Sequence, residues 1–130
     1  MTKILVIEDQ LAVRQNLEDI LLLENYDVVT ASDGEHGLDL AKQTLPNLIL
    51  CDVMMPKLSG FEVLSALRQD PQLATIPFIL LTAKVDHAAI RQGMTLGADD
   101  YLTKPFSLND LLQAVNTMRL NFLCPVLLFT

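Results

Sequence analysis

Five short apolar runs alternate with longer segments of helical periodicity along almost the whole chain. The runs fall at residues 4–7, 28–31, 48–51, 78–81 and 101–103. Three of them contain no polar residue, which is typical of strands that are buried on both faces of a parallel sheet. Right-handed crossovers wind such a series into one sheet with helices on both sides. The order of elements therefore predicts a doubly wound α/β fold with five strands and five helices.

Apolar residues between the runs recur on one stripe of each predicted helix. The stripes consist of Val13, Leu17, Ile20 and Leu21, then Leu38 and Ala41, then Phe61, Leu64 and Leu67, then Ile90 and Met94, and finally Leu108, Leu111, Leu112 and Val115. Ser59-Gly60 indicates the start of the third helix, and the pair Ser107 and Asp110 indicates the start of the fifth. Gly97 predicts the end of the fourth helix.

Composition restricts the classes of function. With 51% hydrophobic and 19% charged residues, the chain of 130 residues is expected to form one globular domain. Its formal net charge of −7 argues against direct nucleic-acid binding, which needs a basic face, but permits a divalent cation or a basic partner. Cys51 and Cys124 fit neither a disulfide framework nor a zinc spacing, so free thiols in a reducing cytoplasm are expected.

The two ends of the chain differ in character. No signal peptide precedes the first apolar run, and no membrane association is expected. Residues 121–130 form an apolar tail that is too short to span a bilayer and is interrupted by Pro125. A docking segment, the start of a linker and an artificial extension all fit this tail, so we expect a domain at residues 1–120 and leave the role of residues 121–130 open.

Polar side chains follow four of the five apolar runs. Glu8 and Asp9 follow the first run, Asp52 the third, Thr82 the fourth and Lys104 the fifth. Ligands bind at the carboxyl ends of the strands in open parallel sheets, so these side chains are expected to converge on one edge. No glycine-rich loop follows the first run, which argues against a nucleotide cradle. Carboxylates instead suit a hard divalent cation, and Mg²⁺ fits best because it shares its coordination shell with phosphate oxygens.

The formal charges at this edge support a cation. Glu8, Asp9 and Asp52 contribute three negative charges, whereas Lys104 and one divalent cation contribute three positive charges. Without the cation, each close pair of carboxylates would repel by roughly 4 kcal/mol at an effective dielectric constant near 20. The sequence therefore predicts a magnesium site at the carboxyl edge of the sheet.

Four segments that contain these residues resemble the signature segments of the receiver domain of two-component response regulators. They are residues 6–9, 50–56, 80–83 and 100–106, in the order found in that family. The resemblance covers about residues 3–120. It implies a flavodoxin-like sheet with strand order 2-1-3-4-5.

The resemblance assigns the phosphoryl acceptor and the metal ligands. Asp52 would accept the phosphoryl group as an acyl phosphate. Glu8, Asp9 and Asp52, together with the backbone carbonyl of Met54, would bind Mg²⁺. The first acidic position is Glu8, where the family more often has aspartate.

The resemblance also assigns the groups that hold and report the phosphoryl group. The hydroxyl of Thr82, the backbone of Ala83 and the ammonium of Lys104 would bind the phosphoryl oxygens. A cis peptide bond between Lys104 and Pro105 would aim the lysine into the site. Thr82 and Tyr101 would act together as the switch that responds to phosphorylation.

The implied function is a phosphorylation-dependent signalling switch that works in the cytoplasm. Its partners would be a sensor histidine kinase or phosphotransfer protein and a downstream protein. The latter would bind the face formed by helix four, strand five and helix five, roughly residues 86–119. Such a domain is not an enzyme that acts on outside substrates, because it catalyses only its own phosphorylation and dephosphorylation. Homodimer formation, the identity of the kinase and the phosphoryl lifetime are left open.

Alternative interpretations accompany this one. A phosphatase of the haloacid dehalogenase type also uses a strand-end aspartate and Mg²⁺, but it needs an acid at the position of Met54. A receiver-like scaffold that works without phosphorylation tends to lose the acids or the lysine that are present here. At the level of single residues, Glu8 and Asp9 are also expected to cap the first helix, and Tyr101 has simple core packing as its alternative role.

Overall fold

The computed structural model describes residues 2–83 and 85–123, with side chains up to residue 118. The strands are β1 (Lys3–Ile7), β2 (Asp27–Ala31), β3 (Leu48–Asp52), β4 (Phe78–Ala83) and β5 (Asp100–Lys104). The helices are α1 (Leu11–Leu23), α2 (Gly34–Thr44), α3 (Gly60–Gln69), α4 (His87–Leu96) and α5 (Leu108–Leu123). All pairings are parallel, and the strand order is β2-β1-β3-β4-β5. The predicted fold is confirmed.

The sheet separates two hydrophobic cores. Successive residues of a strand point to opposite faces, so Ile4 and Val6 of β1 belong to the core beneath α1 and α5, while Leu5 and Ile7 belong to the core beneath α2, α3 and α4. Strands β1, β3 and β4 are buried along almost their full length. Burial on both faces explains why their sequences are continuous apolar runs rather than alternating ones.

Local signals determine where three of the helix ends lie. The Ser59 hydroxyl accepts a hydrogen bond from the Glu62 backbone N–H, and the Glu62 carboxylate accepts one from the Ser59 N–H, which completes a capping box. Ser107 and Asp110 form the same reciprocal pair at the start of α5. Gly97 ends α4 in the left-handed conformation with a φ of 108°, which glycine adopts without steric cost. These three predictions are confirmed.

The buried face of α4 differs from the predicted stripe. Ile90 is only half-buried and Met94 is 43% exposed, whereas Ala89 and Gly93 face the sheet. A Cβ atom at Gly93 would overlap the side chain of Leu80, so a larger residue fits at this contact only if Leu80 shifts. The prediction from Ile90 and Met94 is wrong because the helix packs through its small residues rather than its large ones.

Helix α5 follows its predicted stripe from the second turn onward. Leu111 and Val115 are buried, but Leu108 is exposed because it lies at the first helical residue, one turn before the core contact begins. The helix continues to Leu123 and so includes the first residues of the predicted tail. Residues 124–130, with Cys124, lie outside the described part of the chain. No helix in the described part has both the length and the hydrophobicity that crossing a bilayer requires.

One arginine joins the ends of three elements. The Arg68 guanidinium, near the end of α3, donates to the carbonyl of Gly97 at 2.8 and 3.1 Å and to the carbonyls of Ala74 and Ile76 at 3.1 and 2.8 Å. It also pairs with the Asp99 carboxylate at 3.0 Å, and the same oxygen accepts the Phe78 N–H. Arg68 therefore fixes the carboxyl end of α4 to the carboxyl end of α3 and to the start of β4.

Candidate functional site

The carboxyl ends of four strands supply the predicted site residues. Asp52 is the last residue of β3, and Lys104 is the last residue of β5. Thr82 and Ala83 end β4, while Glu8 directly follows β1. Strands β3, β4 and β5 extend one or two residues beyond the apolar runs, so most of these groups belong to the strands themselves. Backbone hydrogen bonding therefore holds them in register.

Lys104 lies between two carboxylates. Its ammonium is 2.6 Å from Glu8 Oε1 and 3.2 Å from Asp52 Oδ2. Burial alone would lower the pKa of Lys104, but the hydrogen bond to Glu8 and the negative charge of Asp52 outweigh it, so the pKa lies above the usual lysine value. Lys104 is therefore a permanent cation at neutral pH. It neutralises part of the charge beside Asp52.

The three acids form one compact group. Carboxylate oxygens of Glu8, Asp9 and Asp52 lie within 4.8 Å of one another. With Lys104 included, three negative charges and one positive charge leave an excess of two negative charges, which matches a divalent cation. Oxygen ligands of this kind are those that Mg²⁺ prefers. The donor set therefore fits the predicted metal.

Asp9 is the most solvent-accessible member of the acidic group. Burial, followed by the hydrogen bond to Glu8 and its negative charge, raises the pKa of Asp9 above that of an ordinary aspartate. Protons therefore compete with a cation for Asp9 at a higher pH than they would at an isolated carboxylate.

Glu8 has a different role from the helix cap that its position suggested. Its side chain is fully buried, Oε1 accepts from Lys104, and Oε2 accepts from the Gln10 backbone N–H at 3.1 Å. The N-cap of α1 is Gln10, which makes no side-chain capping bond. The capping prediction for Glu8 and Asp9 is wrong because α1 begins at Leu11, so both acids precede the N-cap position. Arg14, which the sequence analysis did not single out, holds the Glu8 carbonyl oxygen at 2.8 Å.

Thr82 and Tyr101 lie on the same face of the sheet. Thr82 pairs with Thr103 in the register of β4 and β5, and Leu80 pairs with Tyr101. Residues two apart on a strand share a face, so the four side chains lie on that face, with Thr82 and Tyr101 diagonal to each other. Thr82 is buried, whereas Tyr101 is 41% exposed. Tyr101 is therefore not a core-packing residue.

The remaining predicted residues lie around the same edge. Ala83 is opposite Lys104 in the register, and the Lys104–Pro105 peptide bond is cis, as the resemblance implied. Met54 lies in the loop between β3 and α3, where it is exposed. Each of these positions is compatible with the role that the resemblance assigned.

Gly60 is a further residue of the site whose role was not predictable from the sequence. A Cβ atom at Gly60 would overlap the carbonyl oxygen of Asp52, and the Gly60 N–H donates to the Val53 carbonyl at 2.9 Å. Helix α3 can therefore begin directly against the end of β3 only because residue 60 has no side chain. The position of Gly60 at a helix start was visible in the sequence, but the contact with Asp52 was not.

Cys51, immediately before Asp52, takes no part in the acidic group. Its thiol is buried, and burial, followed by the charges of Asp52 and Glu8, raises its pKa well above the usual cysteine value. A neutral thiol neither binds a hard cation nor acts as a nucleophile. The prediction of a free thiol is confirmed for Cys51.

Comparison with known proteins gives the family that the residues of the site resemble. The model of the response regulator receiver domain matches residues 4–116. The alkaline phosphatase synthesis transcriptional regulatory protein PhoP of Bacillus subtilis is 49% identical over 105 residues, which are 81% of this chain and 43% of that protein. The DNA-binding dual master transcriptional regulator RpaA of Synechocystis is 42% identical over 118 residues, 91% of this chain and 49% of that protein. The chain thus spans less than half the length of either relative.

Solved structures agree in fold. The chemotaxis response regulator CheY4 of Vibrio cholerae superposes with a TM-score of 0.86 at 32% identity, covering 91% of this chain and 98% of that one. The receiver domain of the sensor histidine kinase PA1611 from Pseudomonas aeruginosa has a TM-score of 0.83 at 26% identity, covering 90% of this chain and 96% of that one, and has a magnesium ion coordinated in its active-site cleft. Together with the acidic group around Asp52, these findings establish that the chain belongs to the response regulator receiver domain family.

Proposed function

We propose that the chain is the phosphorylation-dependent switch of a two-component phosphorelay, with Asp52 as the phosphoryl acceptor. The observation that carries this proposal is the position of Asp52 at the end of β3. There its carboxylate lies 3.2 Å from the Lys104 ammonium and beside Glu8 and Asp9. The family match over residues 4–116 supports residues 1–120 as the receiver domain.

The chemistry requires positioning and charge neutralisation more than acid–base catalysis. One carboxylate oxygen of Asp52 forms a bond to phosphorus as the phosphorus–nitrogen bond of a phosphohistidine donor breaks. The bonding electrons leave with the imidazole. Lys104 neutralises charge on the phosphoryl oxygens, and Thr82 and the Ala83 backbone are the further donors. A bound Mg²⁺, held by Glu8, Asp9, Asp52 and the Met54 carbonyl, would supply the rest of the charge neutralisation.

The resetting step uses water. Attack of water on the phosphorus displaces the Asp52 carboxylate and releases inorganic phosphate. The residue two positions after Asp52 is Met54, which has no proton to donate to the leaving group of an outside substrate. We therefore infer that the domain catalyses only its own phosphorylation and dephosphorylation. Its partners would be a cytoplasmic sensor kinase or phosphotransfer protein and a downstream target.

The proposed chemistry makes one direct prediction. Incubation with acetyl phosphate and Mg²⁺ is expected to add a single phosphoryl group to the intact protein, as measured by mass spectrometry. A chelator added beforehand should prevent the labelling, because the acidic group would then lack its counter-charge. Absence of labelling with Mg²⁺ would contradict the acceptor assignment, whereas equal labelling in chelator would contradict the metal requirement alone.

We further propose that Thr82 and Tyr101 convert phosphorylation into a change of surface. They lie in diagonal positions on the same face of the sheet, with Thr82 buried near the site and Tyr101 partly exposed. Movement of Thr82 toward the phosphoryl oxygens would vacate space that Tyr101 then enters. The phosphoryl group can bias this two-state equilibrium only through such a differential contact.

Amide NMR spectra with and without beryllofluoride, a mimic of the phosphoryl group, test this coupling. The resonances of Tyr101 and of residues 86–118 are expected to shift in the unsubstituted protein and to shift far less in Thr82→Ala. Thr30→Ala, which changes the same residue type on the opposite edge strand β2, serves as the control. A full shift of Tyr101 in the Thr82→Ala variant would exclude the hydroxyl as the link.

A further inference from the structure

The loop between β1 and α1 carries two of the three acids of the site. It consists of residues 8–10 and includes Glu8 and Asp9. The third acid, Asp52, belongs to β3, where the backbone hydrogen bonds of the sheet hold it in register. No such ladder holds residues 8–10, which lie beyond the end of β1. The geometry of the acidic group therefore depends on the other contacts of this loop.

The side chain of Arg14 reaches back from the first turn of α1 to this loop. Its guanidinium nitrogen Nη1 donates to the carbonyl oxygen of Glu8 at 2.8 Å. Glu8 is fully buried, and a buried carbonyl oxygen needs a hydrogen-bond donor. Within the described part of the chain, no backbone N–H donates to this oxygen. Arg14 therefore supplies a donor that the sheet does not.

Helix α1 differs from the other four helices in how it begins. Each of the other four has a side-chain cap at its start, whereas Gln10, the N-cap of α1, makes no side-chain capping bond. The Gln10 N–H instead donates to Oε2 of Glu8 at 3.1 Å. The backbone and the carboxylate of Glu8 are thus both bound to the start of α1, the first by Arg14 and the second by Gln10.

Arg14 acts on the acidic group through the backbone rather than as a counter-charge. Lys104 provides the ion pairs of this group, at 2.6 Å from Glu8 and 3.2 Å from Asp52. Among the described residues, Arg14 forms no ion pair with these acids. The distinction has a measurable consequence, because a positive charge near the site repels a second cation, whereas a residue that holds the ligands in place favours its binding.

We propose that Arg14 is a positioning residue of the cation site. Its hydrogen bond to the Glu8 carbonyl fixes residues 8–10, so that the carboxylates of Glu8 and Asp9 are held together in the arrangement that a divalent cation requires. Loss of a residue that orients metal ligands commonly changes metal affinity by about 10–100-fold. The proposal rests on the proposed function for the purpose of the cation, but its test measures cation binding directly.

Calorimetric titration of Arg14→Met with Mg²⁺ tests the proposal. Methionine is as good a helix former as arginine but cannot donate to the Glu8 carbonyl. We expect the dissociation constant for Mg²⁺ to rise about tenfold relative to the unsubstituted protein. Removal of a positive charge by itself would lower the dissociation constant, so the direction of the change separates positioning from repulsion. A lowered or unchanged dissociation constant overturns the proposal.

Two further variants and a measurement without the cation complete the test. Arg14→Lys keeps a donor and should recover most of the lost affinity, and Arg91→Met, which removes an exposed arginine on α4, should leave the affinity unchanged. In chelator, the Gln10 amide is expected to exchange its hydrogen faster in Arg14→Met, while the amides of β3 exchange at the same rate as before. Unchanged exchange at Gln10, or equally faster exchange in β3, would contradict a local positioning role.

Failure of this proposal is distinguishable from failure of the proposed function. Arg14→Met leaves Asp52 and Lys104 unchanged, so labelling by acetyl phosphate at saturating Mg²⁺ should match that of the unsubstituted protein, with about tenfold more Mg²⁺ needed for half-maximal labelling. Labelling with an unchanged Mg²⁺ requirement overturns the Arg14 proposal alone. Weakened Mg²⁺ binding by Arg14→Met, together with no labelling of Asp52 in the unsubstituted protein, would support the role of Arg14 and contradict the proposed function.

Discussion

Asp52→Asn is expected to abolish phosphorylation and leave the fold intact. The amide has nearly the size of the carboxylate, but its oxygen carries no charge and is a poor nucleophile toward phosphorus. Asp52 belongs to a group with an excess of two negative charges in the absence of a cation, so the neutral amide relieves repulsion. Intact mass after acetyl phosphate treatment measures labelling, and circular dichroism measures the fold.

A control substitution tests whether the loss of labelling is specific to Asp52. Asp19→Asn changes an exposed acid on α1 and should be labelled like the unsubstituted protein. A stable phosphoryl adduct on Asp52→Asn, equal in amount to that on the control, would show that another residue is the acceptor. Loss of the circular dichroism signal would instead mean that Asp52 supports the structure, which is inconsistent with its place in a repulsive cluster.

Lys104→Met is expected to change phosphorylation and cation binding in opposite directions. The ammonium neutralises charge that develops on the phosphoryl oxygens, and removal of one such donor slows comparable reactions by about 10²-fold or more. The same ammonium competes with Mg²⁺ for Glu8 and Asp52, from which it lies 2.6 and 3.2 Å away. Its removal should tighten Mg²⁺ binding by about tenfold, which corresponds to about 1.4 kcal/mol. Labelling rates and calorimetric titration with Mg²⁺ measure the two effects.

The Lys104 substitution should also make the fold depend on Mg²⁺. Glu8 is fully buried, and a buried charge that loses its oppositely charged partner costs about 3–5 kcal/mol. The melting temperature of Lys104→Met should therefore fall in chelator and recover with Mg²⁺. Lys42→Met on α2 removes an exposed lysine and serves as the control. Weaker Mg²⁺ binding by Lys104→Met would mean that the lysine organises the acids rather than competing for them.

The sequence was most informative where one local pattern decides the structure. Apolar runs marked all five strands, and the runs of β1, β3 and β4 contain no polar residue because these strands are buried on both faces. The runs missed the strand ends at Asp52, Thr82 and Lys104, since these residues keep strand geometry but carry the site. The position of Gly97 at a helix end was also predictable from residue type alone.

Contacts between distant segments were not predictable in this way. The α4 stripe failed at Met94 because the approach of α4 to Leu80 depends on tertiary packing at Gly93, not on helical periodicity. The convergence of the acids with Lys104 was predicted from their places at the sheet edge. The sequence did not predict that Lys104 would lie closer to Glu8 than to Asp52. Such preferences depend on side-chain length and burial at positions that are remote in sequence.

The hydrogen bonds of Arg68 with Gly97 and Asp99 restrict how helix α4 can move. Because one guanidinium binds the Gly97 carbonyl twice and also holds Asp99, a sliding displacement of the whole helix would break several hydrogen bonds at once. Tilting of α4 about its Gly97 end keeps them all. In such a tilt, α4 rotates about its Gly97 end. The displacement is then largest at His87, the first residue of the helix, which follows the loop after Thr82. The motion proposed for Thr82 would therefore act on the end of α4 that is farthest from Gly97.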